Sequence, residues 1–393
     1  MKICHVITRM IIGGAQENTL LSARGAVEAG HDVTLVTGPS PGPEGELLKR
    51  VSCPGLKIVE YPFLVRRISF SADLKAYGFL KDLFKKERYD VVHTHSSKAG
   101  IIGRFAAHAA GIPLVVHTIH GLAFHRYEKA WKNAIYILSE RLAARKCRRI
   151  YAVAQAMIDQ SLAAKIGKPE QYKVVYSGME LEPFLTSKPE PALRKQLNIP
   201  ENSFVFATLA RLFPLKGYED FIPLAIKLAK DLPNVHYLII GNGTMTESVK
   251  EQIRSEGVED RFSFAGLVPP QEVYRYLALS NVLVHFSLRE GLPRAAVQAL
   301  ASGKPVIAYA LDGTPEVVIT GETGYLLPPS DPVSAEQAMR DVVNDPEKAK
   351  KLGENGRKLV ESKFGWRMMS DTLLEDYQIQ LKGKTGSDKK TDG

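Results

Sequence analysis

The sequence predicts an α/β protein made of two Rossmann-like, doubly wound domains, each a parallel sheet with helices on both faces. Three observations carry that reading. Short β-branched runs alternate with helical patterns through the first half of the chain, and a second series of the same kind fills the other half. A length of 393 residues suits two ordinary domains better than one core. A Pro-containing stretch at 182–200 separates the two series and reads as a linker.

The first series places strands at 2–7, 31–36, 91–93, 114–119, 150–153 and 174–176. Residues 1–12 are apolar but interrupted by His5 and Arg9, too short to span a bilayer, and Gly13-Gly14 follows without a processing site, so they read as a first strand. The second series places strands at 204–210, 235–240, 262–265, 282–286, 306–308 and 325–327. The expected domains are 1–181 and 201–363, followed by a last helix over 364–381. The polar run 382–393 has no apolar period and is expected to be disordered.

A composition of 45% hydrophobic and 24% charged residues is that of a soluble globular protein. The net charge of +9 favours anionic partners, but there is no interleaved aromatic and basic signature of nucleic-acid binding. Cys4, Cys53 and Cys147 are widely spaced and form neither a disulfide framework nor a CxxC pair, which fits a reducing cytoplasm.

Chemistry concentrates at the expected strand exits, where open parallel sheets bind ligands. Glu290 follows the strand at 282–286; a helix is expected to start about there, and Gly303 and Pro305 precede the next strand, making a βαβ unit with a carboxylate at its mouth. Gln298, eight residues on, is about two helical turns away and is predicted to share a face with Glu290. Arg211 and Lys216 sit on the loop after the strand at 204–210, a planar fork and a point charge suited to one anion, though also to a solvated basic loop. Gly241 and Gly243 follow another strand and open a helix, where bare N–H groups face an anion or simply make a turn. Gly13 and Gly14 do the same after the first strand, without the GxGxxG pattern of NAD binding. His120 closes the strand at 114–119, whereas His117 lies within it and reads as a core histidine. His93 and His95 have no carboxylate at ligand spacing, so no metal site is expected.

In order along the chain, Gly13-Gly14-Ala15, Ala210-Arg211-Leu212 with Lys216-Gly217, and Glu290-Gly291-Leu292-Pro293-Arg294 running to Gln298 resemble the retaining family 4 glycosyltransferases of the GT-B fold, whose two Rossmann-like domains face an interdomain cleft. The resemblance implies a retaining transfer of sugar from a nucleotide diphosphate, with a UDP-sugar the expected donor and no metal or other cofactor. It implies that Arg211 and Lys216 bind the donor diphosphate, Glu290 the transferred sugar's hydroxyls and position 298 the ribose. It places His120 beside the donor sugar and assigns Gly13, Gly14, Gly241, Gly243, Leu292, Arg294 and Glu316 to the donor site. The turn containing Glu316 is equally a surface turn. Two residues depart from the pattern. Gln298 stands for Glu and loses a charge-assisted contact, and Pro293 stands for Gly and lacks an N–H, leaving the Arg294 and Ala295 amides. The same resemblance implies that the helix at 364–381 crosses back onto the first domain.

Residues 124–127, Trp131, Lys132, Tyr136 and the basic run 145–149 form an aromatic and basic stretch that reads as helix. Such a face lies on an anionic bilayer, binds a lipid diphosphate, or packs as an ordinary helix. It looks like that of family members acting on polyprenyl-diphosphate-linked sugars in surface-polysaccharide assembly. A saccharide or lipid-linked acceptor, and peripheral attachment at the inner face of the cytoplasmic membrane, are therefore expected. Two other readings are a sugar-nucleotide epimerase of the same architecture and a non-catalytic sugar-nucleotide sensor, the latter drawing on Gln298 and Pro293.

Overall fold

The computed structural model describes residues 1–40, 47–50 and 53–387. Two compact units emerge: Met1–Met179 joined by the chain from Trp366 onward, and Glu180–Gly365. The first holds a parallel sheet of β1 (Lys2–Arg9), β2 (Asp32–Gly38), β3 (Leu56–Glu60), β4 (Val91–His95), β5 (Leu114–Ile119), β6 (Arg149–Ala152) and β7 (Tyr172–Val174), in the order β3-β2-β1-β4-β5-β6-β7. Every residue of β4 and β5 is buried, as expected of central parallel strands covered on both faces.

Two strands differ from the sequence reading. β3 is not among the expected strands: it is an edge strand whose Lys57 and Ile58 face solvent, so it lacks the continuous apolar run that marks the interior strands. β7 starts two residues before the expected 174–176, because the buried Tyr172 already pairs with Ile150.

The helix Trp366–Ser387 belongs to the first unit and packs on the helix Gly14–Glu28. A Cβ on Gly25 would lie 1.9 Å from Ser370 Oγ, so glycine permits the close crossing. Asp376 is buried beneath it, within 3.1 Å of Arg149 Nε and 3.2 Å of Lys173 Nζ, and accepts the Tyr151 hydroxyl at 2.8 Å. The helix runs past the expected end at 381. Residues 382–387 lack an apolar period, yet extending a nucleated helix needs only one backbone hydrogen bond per residue. The rest of the expected disordered tail, 388–393, lies outside the described residues.

The second unit contains β8 (Phe204–Leu209), β9 (Val235–Ile240), β10 (Phe262–Gly266), β11 (Val282–His285), β12 (Val306–Tyr309) and β13 (Gly324–Leu327), ordered β10-β9-β8-β11-β12-β13. This is the 3-2-1-4-5-6 order of a doubly wound sheet. Its core stacks aromatic rings, with Phe286 on Tyr309 at 4.5 Å and Tyr237 on Phe262 at 4.8 Å between centroids. The stretch 182–200 is folded into this unit rather than serving as a linker. Its prolines open the short helices Glu182–Leu185 and Pro191–Gln196, where a missing N–H costs nothing. Glu190 accepts both arms of Arg275 at 2.7 Å.

Candidate active site

In the second unit three loops meet at the carboxyl edge of β8, β11 and β12. Gly217 has φ +84°, and a Cβ there would fall 2.3 Å from the Phe286 carbonyl oxygen, so only glycine lets the loop carrying Lys216 close against the exit of β11. The Leu288 N–H donates to the Leu215 carbonyl at 2.9 Å, locking the two loops together. Lys216 Nζ then lies 2.7 Å from Glu290 Oε1 and 3.5 Å from Ser287 Oγ. From the β12 loop, Asp312 accepts the Glu290 N–H at 2.8 Å, and the Gly313 N–H donates to the Gly291 carbonyl at 3.1 Å.

Burial opposes ionisation of Glu290, but Lys216, His285 and Ser287 outweigh it and hold the carboxyl below its ordinary range. His285 Nε2 sits 3.6 Å from the same carboxylate oxygen. Burial drives His285 below its ordinary value despite Glu290, which keeps it neutral at pH 7. Arg211 is exposed just beyond β8, its guanidinium carbon 5.2 Å from the Phe213 ring centroid. Gly241 and Gly243 pack onto this loop: a Cβ on either would lie 2.0 Å from the Ala210 oxygen or 2.3 Å from the Leu212 oxygen.

The helix after β11 begins at Arg294, four residues beyond Glu290, so Glu290 and Gln298 do not share a helical face as the spacing suggests. Pro293, at φ −73° and ψ 88°, lies outside the helical region, and a proline disfavours helix at the residue before it. Leu292 is buried, Gln298 is half-buried on the helix, and Glu316 ends the turn Thr314–Glu316 with its carbonyl accepting Lys363 Nζ at 3.2 Å. Sequence reasoning missed His285, Ser287 and the role of Asp312. The Asp312-Gly313 pair reads only as a turn, and no motif marks a strand-end histidine.

In the first unit, Gly13 caps the helix Gly14–Glu28 directly after β1, so the first helical N–H groups open at that strand's exit. Beside it runs a line of histidines. His5 Nδ1 lies 3.0 Å from His95 Nε2, and His95 Nδ1 lies 3.0 Å from Nε2 of the half-buried His120. His93 bonds Tyr377 Oη at 2.5 Å and Thr118 Oγ1 at 2.6 Å. His117 bonds Thr94 within the core, where a Cβ on Gly100 would fall 2.5 Å from its ring. Burial lowers His5 to about 4, and burial first, then neighbouring cationic or imidazole groups, lowers His93, His95 and His117 well below their ordinary value. Ligand atoms of His5, His93 and His95 lie within 4.8 Å of one another, within reach of one metal ion. Yet the His93 and His95 rings are 4.1 Å apart and tilted only 32°, and each 3.0 Å N···N contact needs a proton between the two nitrogens. His5 Nδ1 and both nitrogens of His93 and His95 are thus used in hydrogen bonds, whereas His5 Nε2 has no hydrogen-bond partner.

The helix Ala130–Ala144 leaves Trp131, Ile135, Leu138 and Leu142 exposed by 61, 52, 57 and 43%, a stripe at spacings of four, three and four. Arg126, Lys129, Arg145 and Arg148 are exposed around it. Two expected members do not take part: Tyr136 is half-buried, and Arg149 starts β6 and pairs inward with Asp376. No described helix is long and apolar enough to cross a membrane.

The family pattern described as Glycosyl transferase 4-like domain matches residues 13–178, and that described as Glycosyl transferases group 1 matches 189–359. An Escherichia coli protein, UDP-Gal:alpha-D-GlcNAc-diphosphoundecaprenol alpha-1,3-galactosyltransferase, is 30% identical over 349 residues, covering 88% of each chain. The chain belongs to the GT4-type glycosyltransferases. This glycosyltransferase is also 27% identical to the capsular polysaccharide biosynthesis glycosyltransferase CapM of Staphylococcus aureus, covering 82% of this chain and 85% of that one. Its GT-B fold is that of Anabaena HepE, solved with UDP-glucose, at a TM-score of 0.79 and 22% identity over 96% of this chain and 99% of that chain. Sucrose-phosphate synthase from Thermosynechococcus elongatus shares the fold at 0.84, with 22% identity, over 98% of this glycosyltransferase and all of that chain.

Proposed function

We propose that this glycosyltransferase moves a sugar, with retention, from a UDP-sugar to a saccharide acceptor linked to polyprenyl diphosphate, in surface-glycan assembly. The carrying observation is the Lys216–Glu290 pair at 2.7 Å, held at the edge of the second sheet with Arg211 on the same loop as Lys216. Breaking the donor's glycosyl bond loads negative charge onto the departing diphosphate, and Arg211 and Lys216 supply fixed positive charge for it. The leaving phosphate oxygen accepts the proton of the acceptor hydroxyl as that oxygen bonds to the anomeric carbon on the same face. Glu290, ionised and oriented by Lys216 and the Asp312 turn, accepts hydrogen bonds from the sugar's hydroxyls. His120 is a partner of the donor sugar. Gly13, Gly14, Gly241, Gly243, Leu292, Arg294 and Glu316 serve the donor, and Gln298 the ribose. No metal takes part.

The acceptor class is supported by the activity of the Escherichia coli relative and by the exposed apolar stripe with its basic surround, which suits the interface of an anionic membrane. The test is incubation with radiolabelled UDP-sugars and polyprenyl-diphosphate-linked acceptor in anionic vesicles, with EDTA present, followed by NMR of the new linkage. A product that keeps the donor's anomeric configuration is expected. An inverted linkage, free epimerised sugar nucleotide, or activity restored only by Mn²⁺ or Mg²⁺ would refute the reading. Cosedimentation with the same vesicles should weaken at high salt and in Trp131→Ala/Leu138→Ser. Protein that stays in the supernatant with anionic and neutral vesicles alike would favour a soluble acceptor.

A further inference from the structure

A line of histidines runs from the interior of the first sheet to its carboxyl edge, and only its outermost member, His120, has a part in the transfer chemistry described above. Parallel pairing sets His5 of β1 opposite His93 of β4; His95 lies two residues further along β4, and His120 follows β5. The His5 and His95 rings stack at 5.3 Å with 21° between planes, and those of His95 and His120 at 5.3 Å with 25°. His95 has no exposed surface and His5 only 1%. Both of His95's nitrogens are used, one on each neighbour, so its ring cannot turn without breaking two bonds. At the buried end, His5 Nε2 has no hydrogen-bond partner.

His5 and His95 are neutral, and with a neutral His120 each of the three rings carries one N–H, so two N···N bonds allow only two polarities. In the first, His5 Nδ1–H donates to His95 Nε2, and His95 Nδ1–H donates to His120 Nε2. His120 then carries its proton on Nδ1, and the unpartnered His5 Nε2 is a bare acceptor. In the second, every proton moves to the other nitrogen, and His5 is left with an N–H buried against no acceptor. Orphaned buried donors are rarer than orphaned buried acceptors, which selects the first polarity.

We propose that His5 and His95 are positioning residues that hold His120 as its Nδ1–H tautomer, with Nε2 bound as an acceptor and Nδ1–H kept as a donor. Burial, which keeps His5 and His95 unprotonated near neutral pH, supports the count of one N–H per ring. The tautomer of a histidine is set by the bond its other nitrogen makes, and here that bond is itself fixed one ring further back. The consequence for function rests on the role given to His120 at the donor sugar: a ring with one tautomer offers the sugar a donor of fixed direction.

Long-range ¹H–¹⁵N spectra of the full chain labelled on histidine nitrogens, with His120→Gln used to assign the ring, read the tautomer directly. The expected spectrum shows His120 protonated on Nδ1 and His5 bare on Nε2. His120 protonated on Nε2, or averaged between tautomers, overturns the proposal. Turnover gives the second arm. His95→Phe removes both nitrogens and should lower kcat about tenfold with a smaller change in KM, whereas His95→Asn keeps an N–H close to where Nδ1 stood and should restore most of it. Equal losses in the two variants overturn the proposal as well. If His120→Ala is fully active while wild-type His120 is the Nδ1–H tautomer, the positioning holds and the donor-sugar role is what fails.

Discussion

The first unit carries His5, His95 and His120 at or beside β1, β4 and β5; the second carries Lys216, Glu290 and Asp312 just beyond β8, β11 and β12, the strands in the same places of the same winding order. Both sets contain buried groups, and these answer burial differently. Without a counter-charge His5 and His95 lose their protons and bond as neutral rings. With Lys216 at 2.7 Å, Glu290 stays ionised. One edge of this fold therefore carries neutral, mutually bonded rings and the other a charged pair, and the presence of a partner ion decides which.

The contrast breaks most sharply at Lys216. Lys216→Ala removes a cation proposed to meet the diphosphate and strands the Glu290 carboxylate, so kcat/KM should fall by on the order of a thousandfold, with some loss of melting temperature. Arg211→Ala, on an exposed residue, should lower it by about a hundredfold with the melting curve unchanged. Near-normal turnover in either variant would remove the charged anchor from the account.

Acid should weigh more heavily on the first unit, where four buried histidines, His5, His93, His95 and His117, are depressed, against His236 and His285 in the second. Between the unfolded value near 6.5 and the folded value, the unfolded chain binds more protons at each of these rings. Their stabilisation is complete above about 6.5 and is lost as pH falls toward the folded pKa, about 4 for His5. At about 1.4 kcal/mol for each pH unit between those two values, His5 alone accounts for about 3 kcal/mol of that loss. Both tryptophans, Trp131 and Trp366, lie in the first unit. The fluorescence-detected melting transition should therefore fall from pH 7 to pH 5 further than the helical signal in circular dichroism. Transitions that move together would erase the distinction.

Asp376 extends the contrast to a buried ion within the first unit. Burial opposes its ionisation, but Arg149, Tyr151 and Lys173 hold its pKa below the ordinary range. Asp376→Asn should cost about 2 kcal/mol in chemical denaturation, less than a fully buried pair because Arg149 and Lys173 are partly exposed. A change within about 0.5 kcal/mol, on the order of a surface substitution, would show that the neutral contacts anchor the helix alone. The smallest effect expected is at Gln298. Restoring a charged acceptor with Gln298→Glu should tighten UDP binding by about 1 kcal/mol, and no change in a calorimetric titration would move the ribose elsewhere.

Strand identity was legible because interior parallel strands are continuous apolar runs, and the positions of Arg211, Lys216 and Glu290 beyond strand ends because charges there stand out against them. What stayed hidden depends on register and on three-dimensional partners. Nothing in the spacing of His5 and His95 tells that β1 and β4 are neighbours. The Leu56–Glu60 strand hid because, at the sheet's edge, none of its residues is buried and no continuous apolar run marks it. The prolines at 183 and 191 begin helices and also suit linkers, and three-dimensional contacts such as Glu190–Arg275 and Phe184–Tyr274 distinguish the two. The stripe on the helix Ala130–Ala144 follows the same apolar spacing as a buried face, so exposure alone separates them.

The most direct measurement of the charged anchor is paired calorimetry of UDP and uridine against wild type and Arg211→Ala. If Arg211 and Lys216 hold the diphosphate, the substitution should weaken UDP by about tenfold or more, reduce its salt dependence, and leave uridine unchanged. Unchanged UDP affinity, or equal weakening of UDP and uridine, would contradict it.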